Sequence, residues 1–503
     1  MKEFPRSILT ASAAAAMVLA CRGSTHSPAA PPAPPAGSLQ SSETTGSAPP
    51  PAAPTVDDRP ELEAAIRKAV ASGGDLQLPE RTYTISPAPH AFYCLEVPGG
   101  LRIHGAGQGK TVLKMAGDAG RSVRLLKVTG DDVVIEDLTL DGNKTAQTRD
   151  KQRHGIFAGP ANRLLVRRVT AQNFTGDGFY LYNEVKDAVF DTVLATANDR
   201  NGLTLGANID GTTITHSRFA DNRIQQVDSE PGGTAVVSNT TVTDCVLDAG
   251  ASNDYALTVS GTPKAQGTGW RVHHNTINGG IFVVWAEHVV IENNTGVNPT
   301  TKASVTVYRS SSDVEIRHNQ FKLTQSRVRS VAGVLIQGTG PGSAPQRVVV
   351  ANNDIELTHE QSFGVRAEGA IDVTIIDNTL RGAGRAAPGY AGIALRATIA
   401  NEDFRRAVVR GNTVRNFGDR GVTVAGSGSA KLRSLEIRDN TFDNDRGAPA
   451  MTTAISLDDN NGAAEDVVVS GNHCLHGVTA QLINIPPRAK VTSDVPARSS
   501  ATP

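Results

Sequence analysis

Residues 287–297 read EHVVIENNTGV, residues 312–322 SDVEIRHNQFK, residues 346–356 QRVVVANNDIE and residues 371–381 IDVTIIDNTLR. In each stretch apolar residues recur, a polar residue follows, and an asparagine marks the pivot: Asn294, Asn319, Asn353 and Asn378. Working outward, the same phrase appears as Ile135-Glu136-Asp137-Leu138, Val166-Arg167-Arg168-Val169, Phe190-Asp191-Thr192-Val193, Ile214-Thr215-His216-Ser217, Val242-Thr243-Asp244-Cys245 and Val272-His273-His274-Asn275. It returns at Asn412, Asn440 and Asn472, giving about 13 copies spaced 19 to 34 residues apart. Each copy holds two or three short alternating strands joined by Gly-, Asn- and Asp-rich turns. One copy alone cannot bury its inner face; stacked copies can, with every backbone bonded to the coil above and below. The expected fold is all-β, a parallel β-helix of about 13 coils, a rod about 60 Å long at ~4.8 Å per coil. The eight consecutive asparagine pivots from Asn275 onward are read as a structural amide ladder at a tight turn rather than a ligand-binding row.

Ahead of the repeats lies one amphipathic helix, with Asp58 placed to N-cap it and Pro60 in its first turn. Leu62, Ala65, Ile66, Ala69 and Val70 share its apolar face, and Gly73-Gly74 ends it. Such a helix plugs the open apolar end of a solenoid and protects its edge. Helix, Gly-Gly, strand, Leu78-Pro79 and then Arg81-Thr82-Tyr83 resembles the lead-in of the pectin-lyase-like (pectate lyase) superfamily. The resemblance runs over nearly all the chain after Val56 and implies a right-handed helix acting on polysaccharide.

Residues 1–21 look like a lipoprotein signal peptide. Lys2 and Arg6 precede an apolar run from Ile8 to Ala20 that is too short to span a bilayer. The run ends in Val18-Leu19-Ala20-Cys21, which resembles the bacterial lipobox. A lipid on Cys21 would hold the protein on the cell envelope, outside the cytoplasm, at the outer membrane or cell surface. Residues 22–55 form a disordered Pro/Ala/Ser-rich linker with an extended, semi-rigid character. The cap and first strands take residues 56–100, the β-helix 101–485, and a disordered tail 486–503. Net charge is −1, so no broad electrostatic case exists for nucleic acid. Cys94, Cys245 and Cys474 are far apart and read as buried thiols, not a metal site. A monomer is expected, with polysaccharide as partner and the membrane met only through the lipid.

After each pivot a second strand begins, at Gly155, Gly178, Gly202, Gln226, Ala256 and Gly280, with spacings of 23, 24, 24, 30 and 24. In that register Ile156, Phe179, Leu203, Val227, Leu257 and Ile281 point inward. The outward columns hold Phe157, Tyr180, Thr204, Asp228, Thr258 and Phe282, then Gly159, Tyr182, Gly206, Glu230, Ser260 and Val284. His154, Asp177, Asn201 and Gln225 precede the strands, and Arg153, Arg200 and Arg223 lie at the same turns. Asp228, Glu230, Asp177, Tyr180 and His154 are the candidate catalytic groups. Tyr182, Arg200, Asn201, Arg153 and Arg223 are the candidate substrate contacts. Tyrosine faces stack on sugars, carboxylates bond hydroxyls and arginines pair with uronates. Two carboxylates at i and i+2 should raise one pKa, can span the ~6.5–9.5 Å of an inverting glycosidase, and can equally chelate Ca²⁺. No cofactor is required by the pattern. The bland alternatives are solvated edge charges, stacked tyrosine covers and turn residues.

Gly176-Asp177-Gly178-Phe179-Tyr180-Leu181, Asn198-Asp199-Arg200-Asn201-Gly202 and Leu140-Asp141-Gly142-Asn143 resemble the matching coils of secreted β-helix polysaccharide enzymes, mannuronan C-5 epimerases among them. Those epimerases carry Asp-Pro-His-Glu where this chain reads Tyr180-Leu181-Tyr182-Asn183-Glu184, so their catalytic histidine and aspartate are not carried over. Val227-Asp228-Ser229-Glu230-Pro231 resembles an Ile-Asp-x-Glu-Pro element of the superfamily. The expected activity is a lyase, epimerase or hydrolase on an acidic, uronate-containing polysaccharide; the alternative is a glycan-binding or adhesin-like surface rod.

The lipobox reading has a direct check. Cys21→Ser should move the protein from the membrane to the soluble fraction without changing its circular dichroism; equal fractionation of both forms would end it.

Overall fold

The computed structural model describes residues 57–493 except 251–254, 299–302, 325–329, 400–401, 427–429, 447–449, 459–463 and 485–490. The signal segment with Cys21 and the linker lie outside the described residues, as does most of the C-terminal tail. The part of that tail that is described is ordered: Val491–Ser493 is a strand paired with Val467–Val469.

The chain winds as a parallel solenoid. A front sheet of fifteen strands runs from Tyr93–Pro98 to Ala480–Ile483, and the strands of the other sides form a second network of 34. The expected register holds. Phe179 pairs with Ile156 and Leu203, Val227 with Leu203 and Leu257, and Leu257 with Ile281. All six side chains are fully buried, so one apolar residue per coil stacks into a continuous core.

Each coil turns at its pivot through a single left-handed residue. The residue before the pivot has φ between 49° and 58° at Asp137, Arg168, Thr192, His216, Asp244, His274, Asn293, His318, Asn352 and Asp377. Asn, Asp and His tolerate that conformation best, which explains the polar residue in the repeated phrase. The asparagines behind it form the expected ladder. Asn353 Nδ2 donates to Asn378 Oδ1 (2.9 Å), Asn378 Nδ2 to Asn412 Oδ1 (3.0 Å), and the chain of amides runs from Asn275 to Asn472. Each amide also reaches a backbone carbonyl, as Asn378 Nδ2 does at Val350 (2.8 Å).

The capping helix spans Arg59–Ala71, with Leu62, Ile66 and Ala69 buried. Two details differ from the sequence reading. Asp58 makes no capping bond; its carboxylate instead accepts from Thr84 N–H (2.7 Å) and Arg81, tying the helix start to the first coil. Val70 is exposed, because the helix buries a stripe narrower than its apolar face.

The ladder predicts a stability effect. Asn378→Ala leaves both the N–H and the side-chain amide of Asn353 without their acceptor. The variant should lose about 1–3 kcal/mol in urea unfolding and keep any polysaccharide activity. Lost function at unchanged stability would make the ladder a binding row.

Candidate active site

Four neighbouring front strands, Ile156–Ala158, Phe179–Leu181, Asn201–Leu205 and Gln225–Ser229, bring most of the candidate residues together. In-register pairing places Phe157, Tyr180, Thr204 and Asp228 in one outward column. Gly206 follows Leu205 and precedes Glu230 in the next column. A Cβ there would meet the Tyr182 ring at 2.8 Å and the Tyr180 hydroxyl at 3.3 Å, so the missing side chain makes room for both rings.

Arg200 is the centre. One guanidinium nitrogen donates to Asp177 Oδ2 (2.5 Å), and the other is ion-paired with Glu230. Asp177 accepts also from Asn201 N–H (2.9 Å) and Thr204 Oγ1 (3.1 Å). Asn201 Nδ2 donates onward to Asp228 Oδ2 (3.0 Å). The Gln225 amide, oriented nitrogen-first by its neighbours, donates to the same oxygen (2.9 Å). Thr204 and Gln225 are thus working members of the cluster that the sequence reading named only by position.

Two carboxylates therefore share one arginine, and a third, Asp228, is held by the neighbouring Asn201. Asp177 is 0% exposed and Asp228 5%; the Glu230 side chain, at 23%, is the one that meets solvent. Burial pushes Asp177 up to about 7, against the pull of Arg200 and the Asn201 N–H. Burial also raises Asp228 well above the carboxylate range, and the charge of Glu230 adds to it. Asn201 holds Asp228 and Arg200 holds Glu230, so the two carboxylates converge on one turn.

Aromatic rings flank the cluster. His154 stacks on Tyr180 (4.7 Å, 14°), Tyr180 on Phe157 (5.7 Å, 11°), and Tyr182 lies 5.9 Å from Tyr180. Arg124 covers the Phe157 ring at 4.7 Å. No repeat phrase marked Arg124, because it comes from the first coils. His154 is fully buried, its Nδ1 accepting from the Asp177 N–H (3.1 Å). Burial drives its pKa well below the usual value, and Arg124 and Arg200 add to this. His154 therefore packs neutral behind Tyr180. Burial likewise raises the Tyr180 phenol.

Arg153 is a correction. It is fully buried, and its guanidinium donates to the Thr148 carbonyl (2.5 Å), the Gly120 carbonyl and Thr175 Oγ1 (3.3 Å). It ties loops together and presents no charge to a ligand. Arg223 is exposed and lines a cleft with Arg149, Lys151 and Ile224. Arg200 takes the place of a cation between Asp177 and Glu230. Of the three cysteines, Cys94 and Cys245 are buried as expected and Cys474 is half-exposed.

Further along the same face, Tyr308, Gln337, Glu368 and Arg396 form one column. Glu368 there is bracketed by Arg366 (2.5 Å) and Arg396 (3.5 Å), two arginines for one carboxylate.

Residues 205–380 match a family described as a right-handed β-helix region. Mannuronan C5-epimerase AlgE6 of Azotobacter vinelandii is 30% identical over 186 residues, 33% of this chain and 20% of that protein. AlgE4 of the same organism is 29% identical over 182 residues, 29% of this chain and 33% of its own length. The chain thus spans a third or less of these relatives. The solved A-module of AlgE6 superposes with a TM-score of 0.50 at 19% identity, covering 84% of this chain and 96% of that module. The parallel solenoid and the match over residues 205–380 agree on a right-handed parallel β-helix fold.

Proposed function

We propose that the chain acts outside the cytoplasm on a polysaccharide, and that Asp228 and Glu230 carry proton transfer at a glycosidic bond. The observation that carries this reading is the imbalance of three carboxylates against one arginine on an outward face, beside a row of aromatic rings. A purely structural cluster on this solenoid looks different. Buried Glu136 is held by Arg102, Arg167 and Arg168. Burial works to raise its pKa, but hydrogen bonds from Arg167 and Arg102 outweigh it and hold it low. At Asp228 the balance runs the other way: burial raises its pKa and the charge of Glu230 adds to it.

Hydrolysis suits these groups better than β-elimination or epimerisation. A lyase or an epimerase needs a base to take the C-5 proton. Burial raises the Tyr180 phenol, and His154 is covered. Asp228 can instead give a proton to the leaving glycosidic oxygen as the C–O bond breaks, while Glu230 takes a proton from the water that bonds the anomeric carbon. Asp177 and Asn201 position Arg200 and Asp228, and Tyr182 offers a stacking face. The similarity to mannuronan epimerases over a third of the chain supports a polysaccharide ligand. An acidic polymer and a lipid anchor on Cys21 complete the reading.

Incubation with charged and neutral polysaccharides, read by reducing ends and by absorbance of unsaturated products, tests it. Asp228→Asn should lose turnover by about 10² or more at unchanged fold. Tyr182→Ala should mainly raise KM. Binding without turnover at any pH would make this a glycan-binding rod. If Asp228→Asn and Glu230→Gln are silent while Glu368→Gln or Arg396→Ala abolishes function, the site lies on the later coils.

Asp177 gives a pH signature of its own. Its pKa is about 7 in the fold against an ordinary 3.8. Between those values the folded chain holds the extra proton. Its stability contribution is full below about pH 4 and is lost as pH rises through about 7. Asp177→Asn removes this dependence. The variant's melting temperature should therefore gain on wild type as pH is raised across that window. A constant difference would mean that Asp177 is ionised throughout.

A further inference from the structure

Two of the three arginines that the sequence places at these turns are spent, Arg153 on carbonyls and Arg200 on carboxylates. The third is not. Arg223 meets Arg149, Lys151 and Ile224 around a cleft of about 480 Å³. All three cations are exposed, and Ile224 is an unusually exposed aliphatic side chain at 38%. None of the three makes an ion pair or side-chain hydrogen bond among the described residues.

Local folding explains why they converge without counter-charge. The acid between them, Asp150, is turned into its own loop. Its carboxylate accepts from Ser122 N–H (2.5 Å) and Gln152 N–H (2.9 Å), and its carbonyl accepts from Thr175 Oγ1 (2.7 Å). At Gly176 an added Cβ would lie 2.8 Å from the Lys151 carbonyl, so the glycine lets this loop press against the next coil. Arg223 and Ile224 stack onto the turns below, their N–H groups donating to the carbonyls of Asn198 and Arg200 (both 2.9 Å). The cleft therefore opens at the rim occupied by Asp177, Arg200 and Gln225. On other coils some exposed arginines find a carboxylate one coil away: Arg163 with Asp132, Arg347 with Asp313, Arg433 with Asp403. Like charges gathered without that relief repel one another, and an anionic ligand removes the cost.

We propose that Arg149, Lys151 and Arg223 form an anion subsite. It holds a carboxylate or sulfate group of the polysaccharide next to the Asp228–Glu230 pair, with Ile224 against the apolar face of the sugar. This rests on the reading of the neighbouring face as a polysaccharide site, and it makes polymer charge the basis of selection. The two arginines bind the anion's oxygens as forks and Lys151 as a point charge.

Binding decides it, independently of turnover. The full chain and an Arg149→Glu/Lys151→Glu/Arg223→Glu variant of equal melting temperature are titrated with alginate, polygalacturonate, dextran sulfate and neutral dextran. Wild type should bind at least one charged polymer about tenfold or more tighter than the variant at low salt. The gap should close at about 0.5 M salt, and dextran should not discriminate. Preference for the uronate polymers assigns a carboxylate; preference for dextran sulfate assigns a sulfate. Equal binding of charged polymers by both proteins overturns the subsite. Wild type binding dextran as well as any charged polymer overturns the subsite and leaves the polysaccharide reading standing. No binding of any polymer by wild type overturns both.

Discussion

Everything in this molecule depends on strands stacking parallel and in register, each coil bonded to the one before it. The rise is ~4.8 Å per coil, and side chains alternate strictly in and out. One slipped residue would turn Phe179 or Val227 outward and Tyr180 or Asp228 into the core. The amide ladder from Asn275 to Asn472 guards against that slip. Each asparagine accepts from the N–H and side-chain amide of the asparagine one coil earlier, so its Oδ1 sets the vertical position of the turn. Beneath the candidate site Asn198 donates to Asn222 one coil on (2.8 Å), and Asn222 closes onto Gln226 of its own coil (2.7 Å).

Register converts sequence distance into contact. Asp177, Arg200 and Glu230 lie 23 and 30 residues apart, yet they meet because successive coils place them at one edge. The same device builds opposite electrostatic environments on different sides. On one side three arginines surround Glu136; on the front face two carboxylates pair with Arg200 and a third is tied to Asn201 beside it. Both centres are buried, so desolvation penalises charge in each. What differs is the count of partners, and that count decides whether a carboxyl gives up its proton or keeps it.

This explains what could be read in the chain and what could not. Period and alternation identified the inward residues, the pivots and the outward columns, since a solenoid repeats its geometry coil by coil. The destination of long side chains does not repeat. Arg153 and Arg200 occupy equivalent turns, but Arg153 finds the carbonyls of Gly120 and Thr148 while Arg200 finds Asp177 and Glu230. Asp58 has an N-cap's position and spends its carboxylate on Thr84 and Arg81 instead. The anchoring of Asp228 and Glu230 on one turn was hidden for the same reason. Pleat geometry gives the spacing of their Cα atoms, but their bonds to Asn201 and Arg200 are a tertiary fact.

Coil length explains why chemistry gathers on these coils. The strands from Gly155 to Gln226 follow one another at 23, 24 and 24 residues, leaving no room for insertions at their turns. The loop before them is long. It reaches over its neighbours, with Lys144 Nζ donating to the Ala197 carbonyl (2.5 Å) and pairing with Asp199 (3.3 Å). After them the step lengthens to 30 residues, and Thr262 Oγ1 donates back to the Gly233 carbonyl (2.7 Å). A stretch of short coils between two overhanging loops makes a low floor with walls at both ends. The floor carries the carboxylates and tyrosines, and the first wall carries Arg149 and Lys151. Charge and shape at this site thus share one origin: the places where the chain spends extra residues between strands and the places where it does not.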